Sequence, residues 1–228
     1  MKVLIYTIEY RVSEIGWGRD PIPREFSSEL RIPLFNELIE YANVQKVSLV
    51  VLPGGFFRTD HPAGIANALK HNPPQLNVVV GRDDKAGKFC EVWVMAQNGT
   101  IRKKIPEAWI HQNESKRQSI LEDVSDRRFQ IRNKIFATFC CGDVIIDKRK
   151  APITNSEATF VLSHYSAKGR NFTPSMRKLN IPVFLSHHVR DPYSTTNFAY
   201  HGNRDLKADT ELKGKSQGLK WISRIYTI

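Results

Sequence analysis

Seven short apolar runs are strung along the chain, and they set what it can fold into. They are KVLIYT at 2–7, VSLVVL at 47–52, NVVVG at 77–81, EVWVMA at 91–96, IFATFC at 135–140, ATFVLS at 158–163 and IPVFLS at 181–186. Each is too short for a typical helix and is rich in β-branched or aromatic residues, and several are closed by Pro, Gly or Asn. That pattern predicts strands, most of them buried on both faces. The Asn98-Gly99 pair is a strong hairpin signal, so residues 100–105 should return beside 91–96. Residues 129–131 form a further short strand, and 218–227 (GLKWISRIYT) alternates like a strand with one exposed face. Helical periodicity is clear only over 30–42, where Leu34, Leu38, Ile39 and Ala42 share a face. Residues 64–70 read as a short helix, and 175–179 as a turn or two. Many strands with few helices between them predict an α/β layered sandwich of mixed sheets. Nothing divides the 228 residues into separate domains, so a single domain over 1–228 is expected.

Composition narrows the partners more than the fold. The chain is 41% hydrophobic and 25% charged, which excludes long disorder, a collagen-like repeat or a coiled coil. Three cysteines, Cys90, Cys140 and Cys141, are too few for a disulfide framework, and a reduced, cytoplasmic protein is the simplest expectation. The opening MKVLIYTIEYR reads as a strand rather than a signal peptide, and no apolar run reaches the roughly 18 residues of a membrane span. No Cys-x-x-Cys or His-Glu-x-x-His spacing and no glycine-rich phosphate loop occurs, so neither metal nor cofactor is expected.

The net charge is +11, unevenly placed: residues 1–60 carry −1, whereas 61–150 and 151–228 carry +6 each. The densest runs are Arg102-Lys103-Lys104, Lys116-Arg117, Arg127-Arg128 and Lys148-Arg149-Lys150, with Trp109 and Phe129 nearby. They read either as solvated strand ends interleaved with acids or as a surface for a polyanion such as nucleic acid.

Cys141 is the candidate nucleophile. It follows a buried strand directly and precedes Gly142 and Asp143, so a thiol there can face a cleft while the glycine admits a substrate to the backbone. A free cysteine is equally at home in a core. Alternation along the strand makes Cys140 the core-facing member of the pair.

At this point the order of features resembles the carbon–nitrogen hydrolases, the nitrilase and amidase superfamily. The resemblance spans nearly the whole chain. It rests on an opening strand (KVLIYTI), a helix running into a strand that ends at proline (LFNELIEYANVQKVSLVVLPGG), a strand ending in glycine (NVVVG), a hairpin followed by lysines (EVWVMAQNGTIRKK), a strand running into Cys-x-Asp (KIFATFCCGD) and a strand before a small-residue loop (TFVLSHYSA). It implies a four-layer α-β-β-α sandwich and a homodimer. It implies Cys141 as nucleophile and Lys104, or Lys103, as the partner of the tetrahedral oxyanion. A further structural glutamate would be Glu107, Glu114 or Glu122 in the polar stretch 106–128. The general base should be a glutamate after Pro53, but Gly54 and Gly55 stand there.

A thiol with an ordinary pKa of about 8.5 is only a few per cent thiolate at neutral pH, and general-base help is typically worth about 10²–10⁴-fold. Two readings follow. In one, the chain is a catalytically degenerate member that binds an anionic ligand or partner. In the other it is an active amidohydrolase whose base is a histidine: His164, His187 or His188, each read as lying just past a strand. In both, Gly54, Gly55, Glu107, Glu114 and Asp143 are expected to border a small amide or anionic ligand.

Overall fold

The computed structural model describes residues 1–9, 28–58, 75–83, 90–106, 127–140, 155–164 and 173–228, with isolated positions at 65, 67, 70, 115 and 143. The chain opens with β1 (Lys2–Glu9), followed by α1 (Ser28–Val44), β2 (Leu49–Val51) and β3 (Phe57–Arg58). Then come β4 (Asn77–Asp83), β5 (Cys90–Met95), β6 (Ile101–Pro106), β7 (Arg128–Ile131), β8 (Lys134–Cys140) and β9 (Ala158–Ser163). A short helix α2 (Thr173–Arg177) precedes β10 (Pro182–Val189), β11 (Ala199–His201), β12 (Arg204–Asp205), β13 (Thr210–Ser216) and β14 (Leu219–Thr227). Among the described residues these strands form one mixed sheet in the order β6-β5-β4-β2-β1-β10-β9-β8-β7, an α/β fold.

β1 lies at the centre and its two edges are used differently. One edge is covered by β14 along Lys2–Ile8, antiparallel. The other edge forks: Val3–Ile5 pair with β2, and Thr7–Glu9 pair with β10, both parallel. A fork leaves carbonyls without ladder partners, and Ser186 on β10 occupies the gap. Its hydroxyl shares its proton between Tyr6 O at 2.7 Å and Val51 O at 3.3 Å.

Beyond the fork the sheet's two arms fold toward each other. Val51, Val79, Val92, Val94 and Ile105 from one arm meet Phe129, Phe136, Cys140, Phe160 and Leu162 from the other in one apolar cluster. Polar contacts cross the same interface: the Lys103 ammonium donates to Arg128 O at 2.6 Å, and the Cys140 thiol to Ile105 O at 3.9 Å. A second cluster joins Leu34, Phe35, Leu38 and Ile39 of α1 to β1, β2, β4 and β5, with Tyr6, Trp93 and Trp221 in it. A third joins Met176 and Leu179 to Val161, Val183 and Leu185. No helix among the described residues is long and apolar enough to cross a membrane.

Two sequence expectations need correction. The strand expected at 181–186 runs on to Val189, so His187 and His188 lie inside β10 rather than past its end. Two polar rings hide the strand's continuation from a hydrophobic-pattern reading. β14 is buried along both faces except near its ends, because Ser223 and Arg224 are covered as well as the apolar residues between them. Arg224 is satisfied there by Glu211 Oε2 at 2.8 Å and Thr195 O at 3.0 Å.

His187 and His188 face opposite sides of β10, as consecutive strand residues must. The His187 ring packs edge-on to Phe198, centroid to centroid 5.5 Å. Burial, helped by the Arg224 charge, holds its pKa down at about 3. Burial does the same to His188, with Arg31 as the next cause, and pushes its pKa well below the ordinary value.

Two outcomes are expected. Ser186→Ala should destabilise the fold by about 1–3 kcal/mol in urea unfolding, since two buried carbonyls lose their donor. Both buried histidines stay neutral in the folded chain and titrate near 6.5 when unfolded. Their stabilisation is therefore complete above about pH 6.5 and is lost progressively as the pH falls toward 3. Urea midpoints should drop between pH 7.5 and 5, and His187→Leu should flatten that drop.

Candidate functional site

Three glycines bring the carboxyl ends of β2, β4 and β9 into backbone contact. Pro53 ends β2 and its carbonyl accepts from the Gly81 amide at 3.1 Å. A Cβ on Gly81 would stand 2.4 Å from the Gly54 Cα. One on Gly54 would stand 2.9 Å from the Ser163 carbonyl carbon and 3.0 Å from the His164 nitrogen. Gly55, at φ +63°, has a backbone conformation that glycine adopts without strain, and a Cβ there would fall 2.6 Å from Asp83 Oδ2. The position where the resemblance places a glutamate is thus closed by the end of β9.

Asp83 and His164 meet over this glycine floor. His164 Nε2 lies 2.5 Å from Asp83 Oδ1. The Asp83 side chain is 1% exposed and that of His164 is 12% exposed. An ionised carboxylate only accepts, so Nε2–H is the donor, and the second ring nitrogen, Nδ1, is left to handle a proton. The His164 carbonyl in turn accepts from His188 Nδ1–H at 2.8 Å, which ties the end of β9 to β10. Burial keeps the His188 ring neutral while it makes this bond.

β8 runs parallel to β9 with Cys140 beside Leu162. Cys141 follows Cys140 by one peptide bond, and His164 follows Leu162 by two residues. Cys141 itself, with Glu107, Glu114 and Glu122, lies outside the described residues. Cys140 faces the core between the arms, as the alternation predicts.

The remaining candidates sit elsewhere. Asp143 is fully buried and forms an ion pair with Arg127 at 3.0 Å, and the Arg127 guanidinium stacks 5.2 Å over Phe139. Lys104 is exposed on β6 opposite Trp93, with its ammonium 5.6 Å from that ring. Lys103 points to the other face, toward Arg128 O. The structure does not join either lysine, or His187, to the Asp83–His164 pair. It does bring Gly54, Gly55 and His164 together. Asp83 was not legible as a site residue: it sits two positions past NVVVG, and its partner is 81 residues away in sequence. The available signal was a carboxylate at the carboxyl end of a buried strand, where open α/β sheets place their ligands.

No protein-family model matches the chain, and no curated protein matches it in sequence. Solved structures do match. An amidase from Nesterenkonia sp. is 8% identical, with 99% of this chain and 90% of that one covered and a TM-score of 0.63. A form of the same enzyme carrying acrylamide on its active-site cysteine is 9% identical over 98% and 92%, also at 0.63. Glutamine-dependent NAD+ synthetase from Acinetobacter baumannii is 12% identical over 82% of this chain and 38% of that one, at 0.59. Another structure describes the Nesterenkonia enzyme as an amidase of the nitrilase superfamily. At such identities the likeness is one of architecture, and by it this chain has the carbon–nitrogen hydrolase fold of the nitrilase-superfamily amidases.

Proposed function

We propose that the chain hydrolyses small amides through Cys141, with His164 as the general base and Asp83 as the group that orients it. The observation that carries this reading is the buried Asp83–His164 pair at the end of the ladder that delivers Cys141. A Cys–His pair oriented by a third group is a recognised way to activate a thiol. The glutamate expected after Pro53 has no room, and His164 at the end of β9 takes over its task.

In this mechanism His164 Nδ1 takes the Cys141 proton and the thiolate attacks the amide carbonyl carbon. The tetrahedral intermediate collapses, the C–N bond breaks, and the imidazolium returns its proton to the leaving amine. Water, deprotonated by the same nitrogen, then cleaves the thioester and releases the acid and the thiol. Asp83 keeps Nε2 protonated throughout and stabilises the imidazolium. Lys104 has no step here, because its ammonium is engaged with the Trp93 ring. The same placement of Lys104 favours the second reading, a degenerate member that binds a small anionic or amide ligand without cleaving it.

The wider architecture is read as a single four-layer α-β-β-α domain, with α1 outside one arm of the sheet and α2 outside the other. The three apolar clusters support that reading.

Alkylation by iodoacetamide across pH, mapped by mass spectrometry to separate Cys141 from Cys90 and Cys140, tests the proposal. Cys141 should react with an apparent pKa below about 8.5, and His164→Ala should return it to that value. Turnover of butyramide or acrylamide should fall about 10²–10⁴-fold in His164→Ala, and about tenfold or more in Asp83→Asn. Unchanged Cys141 reactivity in His164→Ala, with no turnover above Cys141→Ser, leaves only the binding reading.

A further inference from the structure

A cavity of about 470 Å³ opens at the opposite end of β4 from Asp83. It is lined by Asn77, Gln97, Asn98, Arg102, Ile131 and Arg132. Six steps of extended strand lead from Asn77 to Asp83, so the cavity lies about 20 Å from the Asp83–His164 pair. Its volume falls within the usual range of small-molecule sites.

Three features mark it as a place for an anion. Its lining holds two guanidinium groups and three side-chain amides, with no carboxylate. Neither Arg102 nor Arg132 has an ion pair or hydrogen bond to a carboxylate among the described residues. The amides keep donors in reserve: Asn98 uses its oxygen to accept from the Thr100 amide at 3.1 Å, which leaves its NH2 group for a ligand.

Backbone strain adds to these. Arg132 opens the two-residue turn between β7 and β8 with φ at +58°. Glycine, asparagine or aspartate is favoured at such a position, and a long side chain is disfavoured there. The turn is held closed by Gln130, whose amide donates to Arg132 O at 2.7 Å. Lys46 and Gln217 share this left-handed conformation, and of the three only Arg132 lines the cavity, which links the outlier to a role.

We infer that this cavity binds the phosphoryl group of a small molecule, a phosphomonoester gripped between Arg102 and Arg132 with the Asn98 and Gln97 amides completing the shell. Two guanidiniums suit the fork geometry of a phosphate, and a volume of about 470 Å³ matches a compact ligand.

Calorimetric titration of the full chain with inorganic phosphate and with glycerol 3-phosphate tests this, using Arg102→Gln and Arg132→Asn. Arg132→Asn removes the guanidinium while giving the turn a residue that suits it, so its melting temperature should hold or rise. Both variants should bind each probe at least tenfold more weakly, with iodoacetamide reactivity at Cys141 unchanged. Equal affinity of wild type and both variants overturns the inference. So does a single-stranded oligonucleotide that displaces glycerol 3-phosphate at lower concentration than inorganic phosphate does, since that outcome assigns the surface to a nucleic-acid backbone.

Discussion

The fork on one edge of β1 is the constraint from which the rest of the architecture follows. A strand has two edges, and β14 occupies one of them along nearly its full length. The other must serve both β2 and β10, so the two arms diverge there and swing round over a shared apolar core. Ser186 makes the divergence tolerable. Its hydroxyl is small enough to sit in the gap and polar enough to satisfy the carbonyls that the split ladder strands. Strands that part at their amino-terminal halves deliver their carboxyl ends to one place, and there Pro53, Asp83 and His164 come together.

At that place the chain has exchanged side-chain volume for backbone proximity. Gly54, Gly55 and Gly81 let three strand ends touch main chain to main chain. Any residue with a Cβ at Gly81 would force them apart. The closeness has a chemical result: Asp83 is shut away from water except where His164 covers it. A carboxylate so placed acts strongly on the one ring it contacts, because little solvent remains to screen it. His188 completes the arrangement from behind, as a neutral donor fixed by burial to the His164 carbonyl.

Much of this was legible in the sequence, and the gaps have physical causes. Buried strands such as 47–52 and 158–163 announce themselves by continuous apolar character, and α1 by its apolar face. β10 ran further than its apolar pattern, because His187 and His188 are buried as neutral rings and carry no hydrophobic signature. β13 left no trace, since TELKGKS faces water and pairs with β14 alone. Gly54 was legible as a departure from the family pattern, but its meaning was not. Only the fold shows that the backbone of Ser163 and His164 fills the vacated space. Distance from the Gly99 turn points to Lys104, yet the pleat of β6 sends it to the face beside Trp93. A one-residue difference in register reverses which face a strand residue serves.

The charged edge strands bear on how the molecule avoids sticking to copies of itself. Among the described residues β6 pairs only with β5, and β13 only with β14, so each leaves a row of amide and carbonyl groups open. An open edge invites strand addition and, from there, fibrils or amorphous clumps. β6 carries Arg102, Lys103 and Lys104, and β13 carries Lys213 and Lys215. An approaching copy would bring like charges together at Arg102 and Lys104, or at Lys213 and Lys215. Part of the chain's excess of basic residues therefore sits where it discourages edge-to-edge pairing.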